Sequence, residues 1–512
     1  MFSDGVGTLS WDVAESIWIN IPLKKGYPTC FQIRLGGAKG MLAVDSRLSG
    51  SRVNIRPSMI KFNGEMKDLE VCDMAAKPMR LVLNRQMIKI LEDMGTSDDW
   101  FFGLQNAAVA HLRQVTASAH NTEVFIKKQA VGDSIGLFRI YRQCHLLELD
   151  YRKEPFLRSL VEAVVLKELR LLKHKARIPV SEGITLFGIM DETGFLEADQ
   201  VYVTYNPVKG IHAPPPKAGK LLVTRSPALH DGDIQYAYNV VPPAEHPLSE
   251  LTNCIVFSSK GDRDLPSQLS GGDLDGDIFS IIWDTGAHPI RTFAPADYPR
   301  VSPIDIGRPV ERDDMAQFFI DFMKTDHLGM IATRHMILAD QEDGGTSHPN
   351  CRRLAQLHST AVDFSKTGIP VQINEIPRGS NFRPDLYVVS YGLIICYVGF
   401  LSNKLASMAP GPLAHIYSKS EIALDQYVIQ AAYDEDDAEP SRKYYRSAKI
   451  LGKLYRAIDE RKIWYDDVHS QVPANEDGFW NEFLWSTHER CSRIGPISWE
   501  RWLDEARRIR LV

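Results

Sequence analysis

Six apolar runs crowd between residues 183 and 284: GITLFGIMD, QVYVTY, KLLVTRS, IQYAYNVV, CIVFSS and DIFSIIWD. Each is short, rich in β-branched or aromatic residues and bounded by turn formers, and the Pro-rich NPVKGIHAPPP separates two of them. Runs of this length and composition are strands. No helical period intervenes, so an all-β unit fits better than alternating βαβ.

The remainder follows the same punctuation. Residues 17 to 62 predict short strands, IWINIPL, CFQIRLGG and MLAVD among them. The run LVLNRQMIKILEDMG, 81 to 95, shifts to helical spacing and stops at Gly95. Residues 100 to 177 are mostly helical. In the long helix predicted over 155 to 176, Leu157, Leu160, Val161, Val164 and Leu172 share one side. Residues 151 to 177 hold eight Lys or Arg against three Glu, a basic face whose aliphatic stems can pack while the charges stay solvated. Five prolines between 289 and 309 mark a linker, and 311 to 372 and 413 to 512 return to helical patterning around the acidic DEDDAE at 434 to 439. Two all-β units separated by a helical insertion account for the order of strands, helices, strands and helices.

Composition narrows the class. With 44% hydrophobic and 24% charged residues over 512, the chain is an ordinary globular sequence of three or four domains. A net charge of −6 argues against a generally basic nucleic-acid coat but permits a local basic channel. Seven cysteines, at 30, 72, 144, 254, 351, 396 and 491, show no C-x-x-C spacing, so reduced thiols in nucleus or cytoplasm are expected. The N-terminal MFSDGVGTLSWD has no secretory pattern. Leu386 to Asn403 is uncharged for 18 residues, the lower edge of a membrane span, but it contains Ser390, Gly392, Ser402 and Asn403. No membrane association is expected.

The densest chemical signal precedes the last strand: Ser270-Gly271-Gly272-Asp273-Leu274-Asp275-Gly276-Asp277. Aspartates at i, i+2 and i+4 share a face in a strand, or converge in a tight loop if Gly276 takes positive φ. Three converging carboxylates with no neighbouring base repel one another, and a hard divalent cation resolves that cost. Mg²⁺ fits, with Mn²⁺ as a substitute. An EF-hand loop would need Gly at position 6 and Glu at position 12, where Ile278 and Asp284 stand. A second Asp-Gly-Asp, Asp231–Asp233 in HDGDI, has two acids and reads as a turn between strands. Metal-held carboxylates typically position phosphates, which points to phosphoryl or nucleotidyl transfer.

At LSGGDLDGD, 269 to 277, the sequence resembles the cellular RNA-dependent RNA polymerases of RNA silencing. Further segments resemble that family in order: FSDGVG (2–7), FQIRLGGAKGMLAVD (31–45), RPSMIKF (56–62), DETGFLEADQVYVTY (191–205), VTRSPALHDGDI (223–234), DHLGMIATRHMILAD (326–340) and LAQLHSTAVDFSKTGIPV (354–371). The resemblance implies an α+β fold with two double-psi β-barrels across a cleft: 1–95 the first barrel, 96–178 a helical insertion, 179–290 the catalytic barrel, 291–310 a linker and 311–512 a helical head. It implies that Asp273, Asp275 and Asp277 bind metal and that Lys39 and Lys61 face them to hold phosphate. Arg225, Lys260 and Arg263 flank the catalytic strand as further phosphate contacts, while Asp363 and Lys366 match a family segment without an assigned role. The implied reaction is two-metal synthesis of RNA from NTPs on a single-stranded RNA template. Its double-stranded product would feed small-RNA production, in company with silencing factors. A polymerase that also copies single-stranded DNA, an inactive RNA-binding fragment and a Ca²⁺ module are the rivals. The family's long region before FSDGVG is replaced here by Met1, HDGDI has Asp where the family has Pro, and 387–407 fits no family pattern. Those 21 residues, 63 nucleotides, read as an in-frame insertion such as a translated intron.

Overall fold

The computed structural model describes residues 5–21, 26–207, 215–299, 301–380, 382–384, 386, 443–458 and 463. Two compact units divide the chain: one comprises 1–104, 176–388 and 441–453, the other 105–175, 389–440 and 454–512.

In the first unit the six apolar runs become six strands: β7 (Pro179–Met190), β8 (Gln200–Thr204), β9 (Ala218–Arg225), β10 (Ile234–Val240), β11 (Cys254–Phe257) and β12 (Ile278–Ile282). They bond in the order β11-β8-β10-β9-β12-β7, and a parallel β7–β11 pairing closes the ring. The length of β7 permits this. Its residues 183–187 pair with β12, while 187–190 pair with β11. A seventh strand, β6 (Met79–Val82), adds outside to β7. The predicted all-β unit is therefore a closed six-stranded barrel.

The N-terminal strands form a second sheet: β1 (Val6–Leu9), β2 (Cys30–Leu35), β3 (Ala38–Val44), β4 (Val53–Asn54) and β5 (Glu70–Met74), in the order β4-β1-β3-β2-β5. Among the described residues this sheet is open, with β4 and β5 at its edges. Its buried side chains Leu9, Phe31, Met41 and Leu42 belong to one core with Ile184, Leu221, Ile255, Phe279 and Ile281 of the barrel. Burying each such side chain is worth about 1.5–3 kcal/mol.

One predicted strand is corrected. IWIN, 17–20, lies in helix α1 (Trp11–Asn20), not in a strand. Its β-branched composition misled, whereas the i, i+3 spacing of buried Ala14 and Ile17 is helical. Helix α2 (Arg85–Met94) starts at Asn84, whose side chain accepts from the Met87 N–H, and ends at Gly95 with φ +92°. The short α7 (Leu265–Gln268) precedes the aspartate loop, and after β12 and a stretch without a labelled element come α8 (Arg312–Thr325), α9 (Leu328–Gln341) and α10 (Pro349–Thr367). Ile331, Leu338, Leu354 and Leu357 knit α9 to α10. A short parallel pair, β13 (Phe382–Pro384) with β14 (Lys443–Tyr445), precedes α11 (Ile450–Ala457).

The second unit contains α4 (Ala119–Lys128), α5 (Phe138–Leu146) and α6 (Pro155–Lys175). On α6, Leu157, Val161, Val165, Leu169 and Leu172 are buried, whereas Leu160 and Val164 of the predicted side are half-buried. The Tyr141 hydroxyl donates to the Leu157 carbonyl at 2.9 Å. Helix α3 (Asp98–Arg113) runs from the first unit into the second. Among the described residues no helix is long and apolar enough to cross a membrane. The suspected insertion 387–407 and the acidic 434–439 lie outside the described residues.

Candidate active site

The loop 273–277 enters β12, which is held between β7 and β9 in the barrel wall. Two glycines let it approach the N-terminal sheet. Gly276 has φ +129°, and a methyl there would lie 2.0 Å from Gln32 Nε2. Gly5 has φ +82°, and a methyl there would lie 2.6 Å from Asp275 Cβ. Gln32 Nε2 donates to the Asp275 carbonyl at 3.3 Å, so the loop is seated on β2 and the residue before β1.

Carboxylate oxygens of Asp273, Asp275 and Asp277 all lie within 4.8 Å of one another. The local sequence offers them no base, but the fold brings two. Lys39 Nζ on β3 lies 2.5 Å from Asp275 Oδ2. Arg225, at the end of β9, grips Asp277 with Nε 2.6 Å from Oδ2 and Nη2 3.1 Å from Oδ1. Its Nη1 also donates to the Ser270 carbonyl at 3.1 Å. Among the described residues Asp273 has no such partner. Burial, reinforced by the charges of Asp275 and Asp277, pushes its carboxyl up to about 7. For Asp275 burial acts upward but is outweighed by Lys39, leaving its carboxyl below the ordinary value.

This pattern is a fit test for a cation. Three oxygen donors converge, two are balanced by bases, and the third is costly to ionise without a further positive charge. An all-oxygen donor set suits Mg²⁺ or Mn²⁺. Lys366 on α10, paired with Asp363 at 3.1 Å, also feels the charges of Asp273 and Asp275, which help raise its pKa against burial.

The other predicted bases have partners of their own. Lys61 is exposed and donates to the Ser58 carbonyl at 2.8 Å. Lys260 pairs with Glu197 at 2.6 Å. Arg263 donates to the carbonyls of Ser267 and Ala296 at 2.7 and 2.8 Å. Lys260 and Arg263 line a separate polar cavity of about 400 Å³ with Asp199, Ser258 and Gln268. Arg225, expected as a phosphate contact, pairs with Asp277. Sequence reasoning missed Gly5 and Gln32, although FSDGVG and FQIRLGG stood in the family-like segments.

Residues 1–458 match the family described as "RNA dependent RNA polymerase". The chain is 32% identical over 391 residues to a probable RNA-dependent RNA polymerase 1 of Oryza sativa subsp. japonica, covering 76% of this chain and 50% of that protein. It is 32% identical over 487 residues to a probable RNA-dependent RNA polymerase 2 of the same plant, covering 91% and 41%. With RNA-dependent RNA polymerase 1 of Arabidopsis thaliana it shares 30% over 463 residues, covering 90% and 36%. The chain thus spans half or less of the length of these relatives. In structure it resembles the RNA dependent RNA polymerase QDE-1 from Thielavia terrestris, with TM-score 0.59 and 22% identity over 73% of this chain and 46% of that one. With a family match over nearly the whole chain, and relatives 32% identical over most of it, the chain belongs to the RNA-dependent RNA polymerase family.

Proposed function

We propose that this chain is an RNA-directed RNA polymerase that joins nucleoside triphosphates on a single-stranded RNA template by two-metal nucleotidyl transfer. The observation that carries the proposal is the convergence of Asp273, Asp275 and Asp277 within 4.8 Å, with Lys39 against them. Asp273, Asp275 and Asp277 would hold Mg²⁺, or Mn²⁺ in its place. When bound, such a cation lowers the pKa of an attacking hydroxyl and offsets phosphate charge. Arg225 fixes the orientation of Asp277 through two nitrogens. Lys39, about a third exposed, is the base nearest the carboxylates and is placed to take a phosphate oxygen. Lys61, Lys260 and Arg263 would follow the template or product backbone outside this centre. In the proposed architecture the N-terminal sheet belongs to a second double-psi barrel, with 1–95, 96–178, 179–290, 291–310 and 311–512 as the functional segments. Double-stranded RNA product, a role in small-RNA production with silencing factors, and nuclear or cytoplasmic action complete the proposal.

The test is incorporation of labelled nucleotide by the whole chain on single-stranded RNA, run beside single-stranded DNA. Chelation of divalent cations should abolish it. Asp275→Ala should lower it by roughly 10³-fold or more, the usual cost of removing one member of a catalytic unit. A chain that binds RNA without incorporating nucleotide, or a mutant as active as wild type, would end the proposal.

A further inference from the structure

The second Asp-Gly-Asp is the turn its sequence predicts, between β9 and β10. Yet both its carboxylates are buried, Asp231 at 0% and Asp233 at 1% exposure. A buried carboxylate is costly unless its oxygens are bonded, so their partners are informative. Asp231 faces α10 and the segment before it. It accepts from Arg352 Nη2 at 2.6 Å and from the Ser347 hydroxyl at 2.7 Å. Asp233 faces the aspartate loop. Its Oδ2 accepts from the Leu229 and His230 N–H groups, both at 2.9 Å. Its Oδ1 accepts from the Ser270 N–H at 3.1 Å and the Tyr298 hydroxyl at 2.6 Å.

Ser270 is where the loop's lead-in turns. It holds φ +56°, a left-handed conformation that strains a non-glycine residue and persists only when its surroundings impose it. Its N–H is taken by Asp233, its side chain donates to the Pro227 carbonyl, and its own carbonyl accepts from Arg225. Arg225 in turn clamps Asp277. A continuous set of bonds therefore runs from Asp233 through Ser270 and Arg225 to one of the three carboxylates.

We infer that Asp233 is a positioning residue for the aspartate loop: by holding the Ser270 N–H it fixes the lead-in, and through Arg225 it sets where Asp277 stands. This rests on Asp273, Asp275 and Asp277 being the metal site. Groups that orient metal ligands from behind typically contribute 10–100-fold to metal affinity or activity.

Asp233→Asn isolates the contact. The amide oxygen can keep the Leu229 and His230 N–H groups, and its NH₂ can donate to the Tyr298 hydroxyl, which accepts as well as donates. The Ser270 N–H is then the bond lost. Mn²⁺ affinity, read by electron paramagnetic resonance on the whole chain without nucleotide or template, should weaken about tenfold. Asp231→Asn, an equally buried change in the same turn, should leave it within about twofold, since Asp231 does not bond the loop. Tyr298→Phe, which spares the carboxylate but removes one of its donors, should weaken it roughly threefold, the value of one ordinary hydrogen bond. Thermal melting shows which variants fold. Wild-type Mn²⁺ affinity in folded Asp233→Asn overturns the inference, as does an equal loss in Asp231→Asn. If Asp233→Asn does not fold, an unchanged affinity in Tyr298→Phe overturns it. A wild-type chain that binds no Mn²⁺ overturns it too. Because no nucleotide is present, lack of incorporation by wild type bears on the polymerase proposal alone.

Discussion

At the residue scale the aspartate loop is an electrostatic balance of three carboxylates against Lys39 and Arg225. Removing Lys39 leaves Asp275 beside Asp273 without its partner and takes away the base closest to an incoming phosphate. Lys39→Ala should therefore lower nucleotide incorporation roughly 10²–10³-fold, as loss of a preorganised charge-stabilising donor does. Lys61 rests on the Ser58 carbonyl in solvent. Exposed bases of that kind are worth about 1 kcal/mol or less, so Lys61→Ala should change incorporation less than about fivefold. Equal losses in the two variants, measured side by side, would show that Lys61 works somewhere other than where it rests. Gly5 makes a steric prediction. Its φ of +82° disfavours any side chain, and a methyl would meet Asp275 Cβ at 2.6 Å. Gly5→Ala should cost about 1–2 kcal/mol in stability from the backbone alone. It should also lower incorporation more than tenfold by pushing the loop off its seat. Full activity would mean the loop tolerates displacement.

At the scale of elements, helix α2 shows what a local pattern carries and what it does not. Its stop at Gly95 is legible because capping is short-range chemistry; its start at Asn84 was not read from the sequence. Lys89, a lysine within that helix, is 1% exposed, 2.5 Å from Asp93 and 3.1 Å from Glu92. The residues that enclose this node come from far away in sequence. The Thr346 N–H and hydroxyl both reach Asp93 Oδ2 at 2.7 Å, and Arg291 Nε donates to the Asp93 carbonyl at 2.7 Å. No helical period encodes contacts across 253 or 198 positions. Asp93→Ala leaves a buried ammonium with Glu92 alone and should destabilise the fold by about 3–5 kcal/mol in urea unfolding. Adding Lys89→Met should recover part of that loss, because the stranded charge goes with it. A cost under about 1 kcal/mol for Asp93→Ala would show that the node is incidental. The same limit explains α1: composition suggested a strand, and the buried spacing decided for a helix.

At the scale of the molecule, the six strands were legible and their closure was not. Phe187 pairs with both Cys254 and Ile278, and a period-2 pattern looks alike whichever neighbour a strand takes. The three aspartates were legible because they are adjacent in sequence. Their counter-charges, their glycine seat and the Asp233 anchor come from other elements, so only the folded chain displays them. Folding also buries two imidazoles of α9 and α10, His335 at 2% and His358 at 8% exposure. Burial pulls His335 down to about 4, reinforced by the charges of His358, His230 and Lys89 and opposed by the Leu229 backbone. His358 is pulled down to about 4 by burial. A histidine whose folded pKa lies below the unfolded value near 6.5 contributes stability above pH 6.5, lost as pH falls toward 4, because the unfolded chain takes the proton first. Asp233, raised to about 6 by burial, and Asp273, raised to about 7, act in the opposite sense over much of that window. The pH profile of the wild type alone therefore mixes both signs. The difference between His335→Leu and wild type does not. Measured by urea unfolding, the variant should gain on wild type as pH drops from 6.5 to 4, by up to about 1.4 kcal/mol per pH unit. A difference that stays flat across that range would mean His335 is protonated in the folded chain, and that its burial leaves its charge state unchanged.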